Sequence, residues 1–146
     1  MKPADKTAPG QTEAIAFEFD LAHAPQKVWR ALTDPTLLKE WLLPVTGLKL
    51  ELGAAFTFKT QPFSDWDGTV RCRMLEIEAH RKLSYTWVVG GMDTVVTFTL
   101  TPTASGTHLS LVQSGFKPDQ KRNFNGARYG WNMMGGKLVD LLARIS

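Results

Sequence analysis

Cysteine is almost absent from this sequence, with Cys72 standing alone among 146 residues. A single thiol excludes an internal disulfide and cannot by itself form a four-ligand metal site. No apolar run reaches the roughly 18 residues that a membrane-crossing helix needs. Charge of one sign is also scarce: Lys and Arg number 17 and Asp and Glu 14, a net of +3. The basic residues are spread along the chain and form no stripe, which argues against nucleic acid as a partner. No G-x-x-x-x-G-K-[ST] or G-x-G-x-x-G is present, so no nucleotide cofactor is expected. Met1–Gln11, MKPADKTAPGQ, has no apolar h-region, so no signal peptide is expected, and the simplest compartment is the cytoplasm.

What remains is an ordinary globular composition, 43% hydrophobic and 21% charged. The length suits one domain with one core. Residues 1–11, rich in Pro, Lys, Asp and Gly, are expected to form a mobile arm, and 12–146 a single domain.

Residues 13–21, EAIAFEFDL, alternate, with Ile15, Phe17, Phe19 and Leu21 on one side and Glu18 and Asp20 on the other. That is the pattern of a half-buried strand. Two short helices follow. Pro25 opens the first, whose apolar face carries Val28, Trp29 and Leu32; Asp34-Pro35 caps and opens the second, which carries Leu37, Leu38 and Trp41. Strand signals then dominate: 45–50, 54–60, 69–78, 83–89, 93–101 and 107–116. The alternation in 69–78 changes phase between Met74 and Leu75, which predicts a bulge. Asp67-Gly68, Gly90-Gly91 and Ser105-Gly106 supply turns, so the sheet is expected to be an antiparallel meander.

After Phe116 the period lengthens to three or four residues. Phe124, Trp131, Leu138 and Leu142 mark one face of a helix about 25 residues long. Gly126, Gly130, Gly135 and Gly136 lie within it. Each costs roughly 1 kcal/mol against alanine in a helix interior, so the helix must lean on packing across the sheet. Gly126 and Gly130 share a face and serve either close backbone approach or an open space. Strands with segregated helices give an α+β domain.

The runs APQKVWRALTDPTLLKEW (24–41), TFTLTP (97–102), GTHLSLVQSGF (106–116) and YGW (129–131) together resemble one family. It is the branch of the START-like (SRPBCC) superfamily named for the C-terminal domain of the activator of the heat shock protein 90 ATPase, which has many small bacterial single-domain members. The resemblance spans roughly 13–145. It implies a helix-grip fold: a curved seven-stranded antiparallel sheet wrapped around the long C-terminal helix, with two short helices after the first strand. It also implies an internal cavity that in relatives often holds an apolar small molecule. The co-chaperone that names the family has a separate N-terminal domain, and this chain carries only a short arm before its first strand. Where relatives often place His or an acid just before the SGF run, this chain has Gln113.

No catalytic constellation stands out. His23, His80 and His108 lack the spacing of a metal site, there is no G-x-S-x-G elbow, and Ser114 reads as a strand-end residue. Arg71 and Arg73 alternate with Val70 and Cys72 and are expected on the solvated face. The aromatic residues are more informative. Phe56, Phe58, Trp87, Phe98 and Trp131 should converge between sheet and terminal helix, with Met74, Met133 and Met134 as adaptable neighbours. They form either plain core or the wall of a ligand cavity. Gln113 falls on the same face as Leu109 and Leu111, where its amide needs a backbone partner or a ligand. The candidate cavity residues are therefore Phe56, Phe58, Met74, Trp87, Phe98, Gln113, Trp131 and Met134. An apolar small molecule is the expected partner, with no metal, cofactor, nucleic acid or membrane. A chaperone or stress-response partner and a cyclase- or aromatase-like enzyme are the alternatives, and the pattern does not choose between monomer and dimer.

Overall fold

In the computed structural model, which describes residues 3–62 and 65–146, the alternating segments pair in one open antiparallel sheet. The strands are β1 (Ala4–Asp5), β2 (Ala14–Leu21), β3 (Val45–Thr46), β4 (Ala55–Lys59), β5 (Thr69–Glu78), β6 (Lys82–Val89), β7 (Met92–Thr103) and β8 (Gly106–Ser114). Their order across the sheet is β1-β2-β8-β7-β6-β5-β4-β3. Helices α1 (Pro25–Thr33) and α2 (Pro35–Trp41) leave the sheet after β2, and α3 (Lys121–Arg144) closes the chain.

Eight strands replace the expected seven. The extra one comes from the segment read as a mobile arm: Ala4 pairs with Glu18 and Asp5 with Phe17 along the otherwise free edge of β2. The Asp5 carboxylate also accepts from Arg128 Nε of α3 at 2.6 Å, tying this short strand to the helix. At the other edge, the strand expected over 45–50 stops at Thr46. Gly47 takes a left-handed φ of 77°, which no ladder accommodates.

The inward residues of β2 are fully buried, Ile15 and Phe17 at 0% exposure. The phase change in β5 is a real irregularity, since its register against β6 shifts between Met74 and Glu76. Gly90-Gly91 makes the two-residue loop that joins Val89 to Met92. Asp34 accepts from Thr36 N at 2.9 Å and so caps α2, and Trp41 Nε1 donates to the Ala31 carbonyl at 2.8 Å, locking α2 onto α1.

Helix α3 lies across the inner face of the sheet and buries Phe124, Trp131, Gly135, Leu138, Leu141 and Leu142. The close approach occurs at Gly135. A Cβ there would stand 3.0 Å from the Phe19 ring and 3.1 Å from Pro3 Cγ, whereas one at Gly136 would meet nothing within 4 Å. Gly135→Ala is therefore expected to destabilise, because overpacking against Phe19 outweighs the helix propensity gained. Gly136→Ala should stabilise by up to about 1 kcal/mol. Urea denaturation of the two variants distinguishes them, and a Gly135→Ala protein more stable than the parent would refute the close packing.

Candidate functional site

A cleft of about 640 Å³ opens beside α3. One wall is the first half of α3, which presents Gly126, Gly130, Trp131 and Met134. Leu42 and Leu43, which follow α2, stand opposite. The floor is the end of the β6–β7 hairpin, where Trp87, Val89 and Met92 face inward, with Gln113 from the end of β8 beside them. Trp66 closes one side, its indole held by Nε1 donating to the Thr69 carbonyl at 2.8 Å.

The glycines explain why the space exists. A Cβ at Gly126 would meet nothing within 4 Å, and one at Gly130 would meet only the Met134 methyl at 3.7 Å. Among the described residues no backbone comes close to either, so of the two uses open to this pair the open space is the one supported. They face the cleft, and larger side chains there would fill it.

Beneath the cleft runs a buried polar chain. Trp131 Nε1 donates to Gln113 Oε1 at 2.7 Å, Gln113 Nε2 donates to Thr94 Oγ1 at 2.9 Å, and Thr94 Oγ1 donates to the Trp87 carbonyl at 2.7 Å. An indole nitrogen can only donate. That single fact orients the Gln113 amide and then each bond after it. Gln113 is 0% exposed, and the chain fixes the two tryptophans that form the cleft wall. Their rings lie 5.5 Å apart between centroids at 52°.

The eight residues expected to line a cavity thus divide. Trp87, Gln113, Trp131 and Met134 line the cleft. Phe56, Phe58, Met74 and Phe98 are buried and do not line it. They form the packed layer behind: Phe58 lies 5.3 Å from Trp87, Phe98 lies edge-on to Trp131 at 6.3 Å, and Phe56 lies edge-on to Tyr85 at 5.2 Å. Met133, half-exposed, sits at the mouth. Sequence reasoning missed Leu42, Leu43, Trp66, Met92, Asn123 and Lys137. The helical spacing that links Gly126, Gly130, Met134 and Lys137 would have found the last of these.

Among the described lining residues, Lys137 is the one ionisable group. The other candidates for chemistry lie elsewhere. Burial pushes the Cys72 thiol up to about 12, which leaves it a small hydrophobe. Burial, with Lys27 beside it, lowers the pKa of His23, whose Nδ1 lies 3.1 Å from Lys27 Nζ. His108 is on the outer face of β8, with Nδ1 2.9 Å from Asp20 and Nε2 3.2 Å from Glu18. Among the described residues no group of three or more His, Cys, Asp or Glu is placed to hold a metal ion.

The hydrogen bond to Asp20, aided by the charges of Asp20 and Glu18, raises the His108 pKa above its ordinary value. A raised folded-state pKa means the native state holds the proton more tightly. The resulting stabilisation is complete below about pH 6.5 and is lost as pH rises through the folded-state value. Urea midpoints from pH 5.5 to 8 should fall slightly in the parent relative to His108→Gln, and parallel profiles would refute the linkage.

Comparison with known proteins agrees with this architecture. The family model described as activator of Hsp90 ATPase homolog 1-like protein matches residues 22–143. Among solved structures, a protein from Mesorhizobium loti is 42% identical, covering 91% of this chain and 98% of that one, with a TM-score of 0.82. A Chromobacterium violaceum protein is 25% identical over 92% of this chain and all of that one, with a TM-score of 0.76. A Micromonospora echinospora protein solved by NMR is 25% identical over 97% of this chain and 73% of that one, with a TM-score of 0.73. No curated protein sequence matches the chain. With a family model spanning nearly the whole domain and an open sheet gripping the C-terminal helix as the resemblance implied, the chain belongs to the family of activator of Hsp90 ATPase homolog 1-like proteins.

Proposed function

We propose that this protein binds an apolar small molecule in the cleft between α3, the segment after α2 and the end of the β6–β7 hairpin. The observation that carries the reading is the pair Gly126 and Gly130. Each weakens α3 by roughly 1 kcal/mol relative to alanine. Neither recovers that cost through packing against a described residue elsewhere: a Cβ at Gly126 would meet nothing within 4 Å, and one at Gly130 only the Met134 methyl at 3.7 Å. A helix that only had to seal a core would gain by filling this space. The cleft has the size and the mainly apolar lining usual for small-molecule sites, with a few polar groups among indoles and methionines.

The test is to compare native with denaturing mass spectrometry of the purified protein. A small molecule released on unfolding supports the reading and gives its chemical class. If none is released, a fluorescent naphthalene probe titrated into the protein reads the cleft directly. Absence of saturable binding there as well would overturn the proposal.

A second reading, interaction with a chaperone, is favoured by the family model alone. Its test is stimulation of a chaperone ATPase by the purified chain, and no stimulation at saturating protein would remove it.

A further inference from the structure

The cleft is apolar along its walls but not at its ends. Lys137 of α3 lines it and carries its single charge among the described lining residues. Its ammonium forms no ion pair with any described residue. The acids closest in sequence to lining residues are Asp65 and Asp67, which flank Trp66, Asp93, which follows Met92, Glu40, two residues before Leu42, and Asp140, one helical turn beyond Lys137. None of the five lines the cleft. Asp67 is already engaged, accepting from Thr69 N at 2.9 Å. Among its described lining residues the cleft therefore presents one positive charge and no negative one.

At the buried end, Gln113 has capacity left over. A primary amide has two N–H donors, and the polar chain uses one of them, toward Thr94. The second is a donor on a fully buried residue that lines the cleft. Along α3, Lys137 lies six residues past Trp131, the residue bonded to Gln113, which is about 9 Å of helix rise. Trp87 and Trp131 also line the cleft but present little surface to it, at 8% and 2% exposure.

We infer that the ligand of this cleft is an organic monoanion: an apolar body filling the space beside α3, with its carboxylate or sulfonate on Lys137 and a hydrogen-bond acceptor reaching Gln113. The inference rests on the cleft being a binding site, as proposed above, and adds the charge of what it takes. A neutral lipid or an amine would leave the Lys137 charge unanswered, and an amine would meet repulsion there.

Two probes with the same ring skeleton test it: 1-anilinonaphthalene-8-sulfonate, an anion, and N-phenyl-1-naphthylamine, its neutral counterpart. Both are titrated into the parent, Lys137→Met, Lys137→Glu and Gly130→Leu, each first confirmed as folded by urea denaturation. Methionine keeps the apolar stem of Lys137 and removes the charge. The anionic probe should bind the parent about tenfold tighter than the neutral one, the difference expected for one charge-assisted contact. Lys137→Met should remove that advantage and leave the neutral probe unchanged, Lys137→Glu should weaken the anion further, and salt should weaken the anion alone. Gly130→Leu should abolish both. Equal binding of the two probes, or indifference of the anion to Lys137→Met, would overturn the charge assignment while leaving the cleft as a site. Binding of neither probe to the parent would overturn the binding reading itself.

Discussion

Gln113→Glu is expected to unfold at a much lower urea concentration than the parent at neutral pH, and to recover most of the difference as the pH is lowered. The carboxylate would still accept from Trp131 Nε1, but it has no N–H to give Thr94. Thr94 would have to turn its proton toward the carboxylate and abandon the Trp87 carbonyl. The charge would also sit at a position with 0% exposure. Burial disfavours the charged form, so the folded-state pKa of this glutamate should lie above the ordinary value near 4.3. A raised carboxyl pKa gives a stability that is complete below about pH 4.3 and is lost as pH rises through the folded-state value. Gln113→Leu separates the two contributions. It carries no charge but leaves the buried indole N–H without its acceptor, at a cost of about 1–3 kcal/mol that does not change with pH. The expected order of stability at pH 7 is parent, then leucine, then glutamate. A glutamate variant whose deficit is the same at pH 4 and pH 7 would show that Gln113 is not buried in the polar chain described.

Leucine at Gly126 or Gly130 should have the opposite character, with a large effect on binding and little or none on folding. The Cβ would enter open space at Gly126 and make only ordinary contact with the Met134 methyl at Gly130. Leucine also favours the helix over glycine by up to about 1 kcal/mol. Urea midpoints should therefore hold or rise, while affinity for an apolar probe falls at least tenfold, about 1.4 kcal/mol of lost binding. Retained affinity in both variants would move the binding site away from this cleft. A loss of stability above about 1 kcal/mol would mean that the space beside α3 is smaller than described.

These two outcomes depend on tertiary surroundings, a buried polar chain in one case and an open cleft in the other, that the sequence does not reveal. Alternation in β2 and the spacing of Phe124, Trp131 and Leu138 are local properties, set by which side chain follows which, and they led directly to the strand and the helix. The bulge after Met74, the Gly90-Gly91 hairpin and the Asp34 cap were legible for the same reason. The pairing of Ala4–Asp5 was not. Whether two polar-flanked residues form a strand depends on a free edge being in reach, and that edge belongs to β2, more than ten residues away.

The division of Phe56, Phe58, Met74 and Phe98 from Trp87, Gln113, Trp131 and Met134 is of the same non-local kind. All eight point inward, so alternation and helical phase place them together, and this much the sequence determined by itself. Only the tertiary structure decided which of them meet solid packing and which face a void. That depends on where α3 seats, and its seat is set by the contact of Gly135 with Phe19, while Gly126 and Gly130 are turned toward Leu42, Leu43 and the cleft. Side-chain order along one segment encodes which face is buried; the space left between two faces is a property of both, and it exists only once they have met.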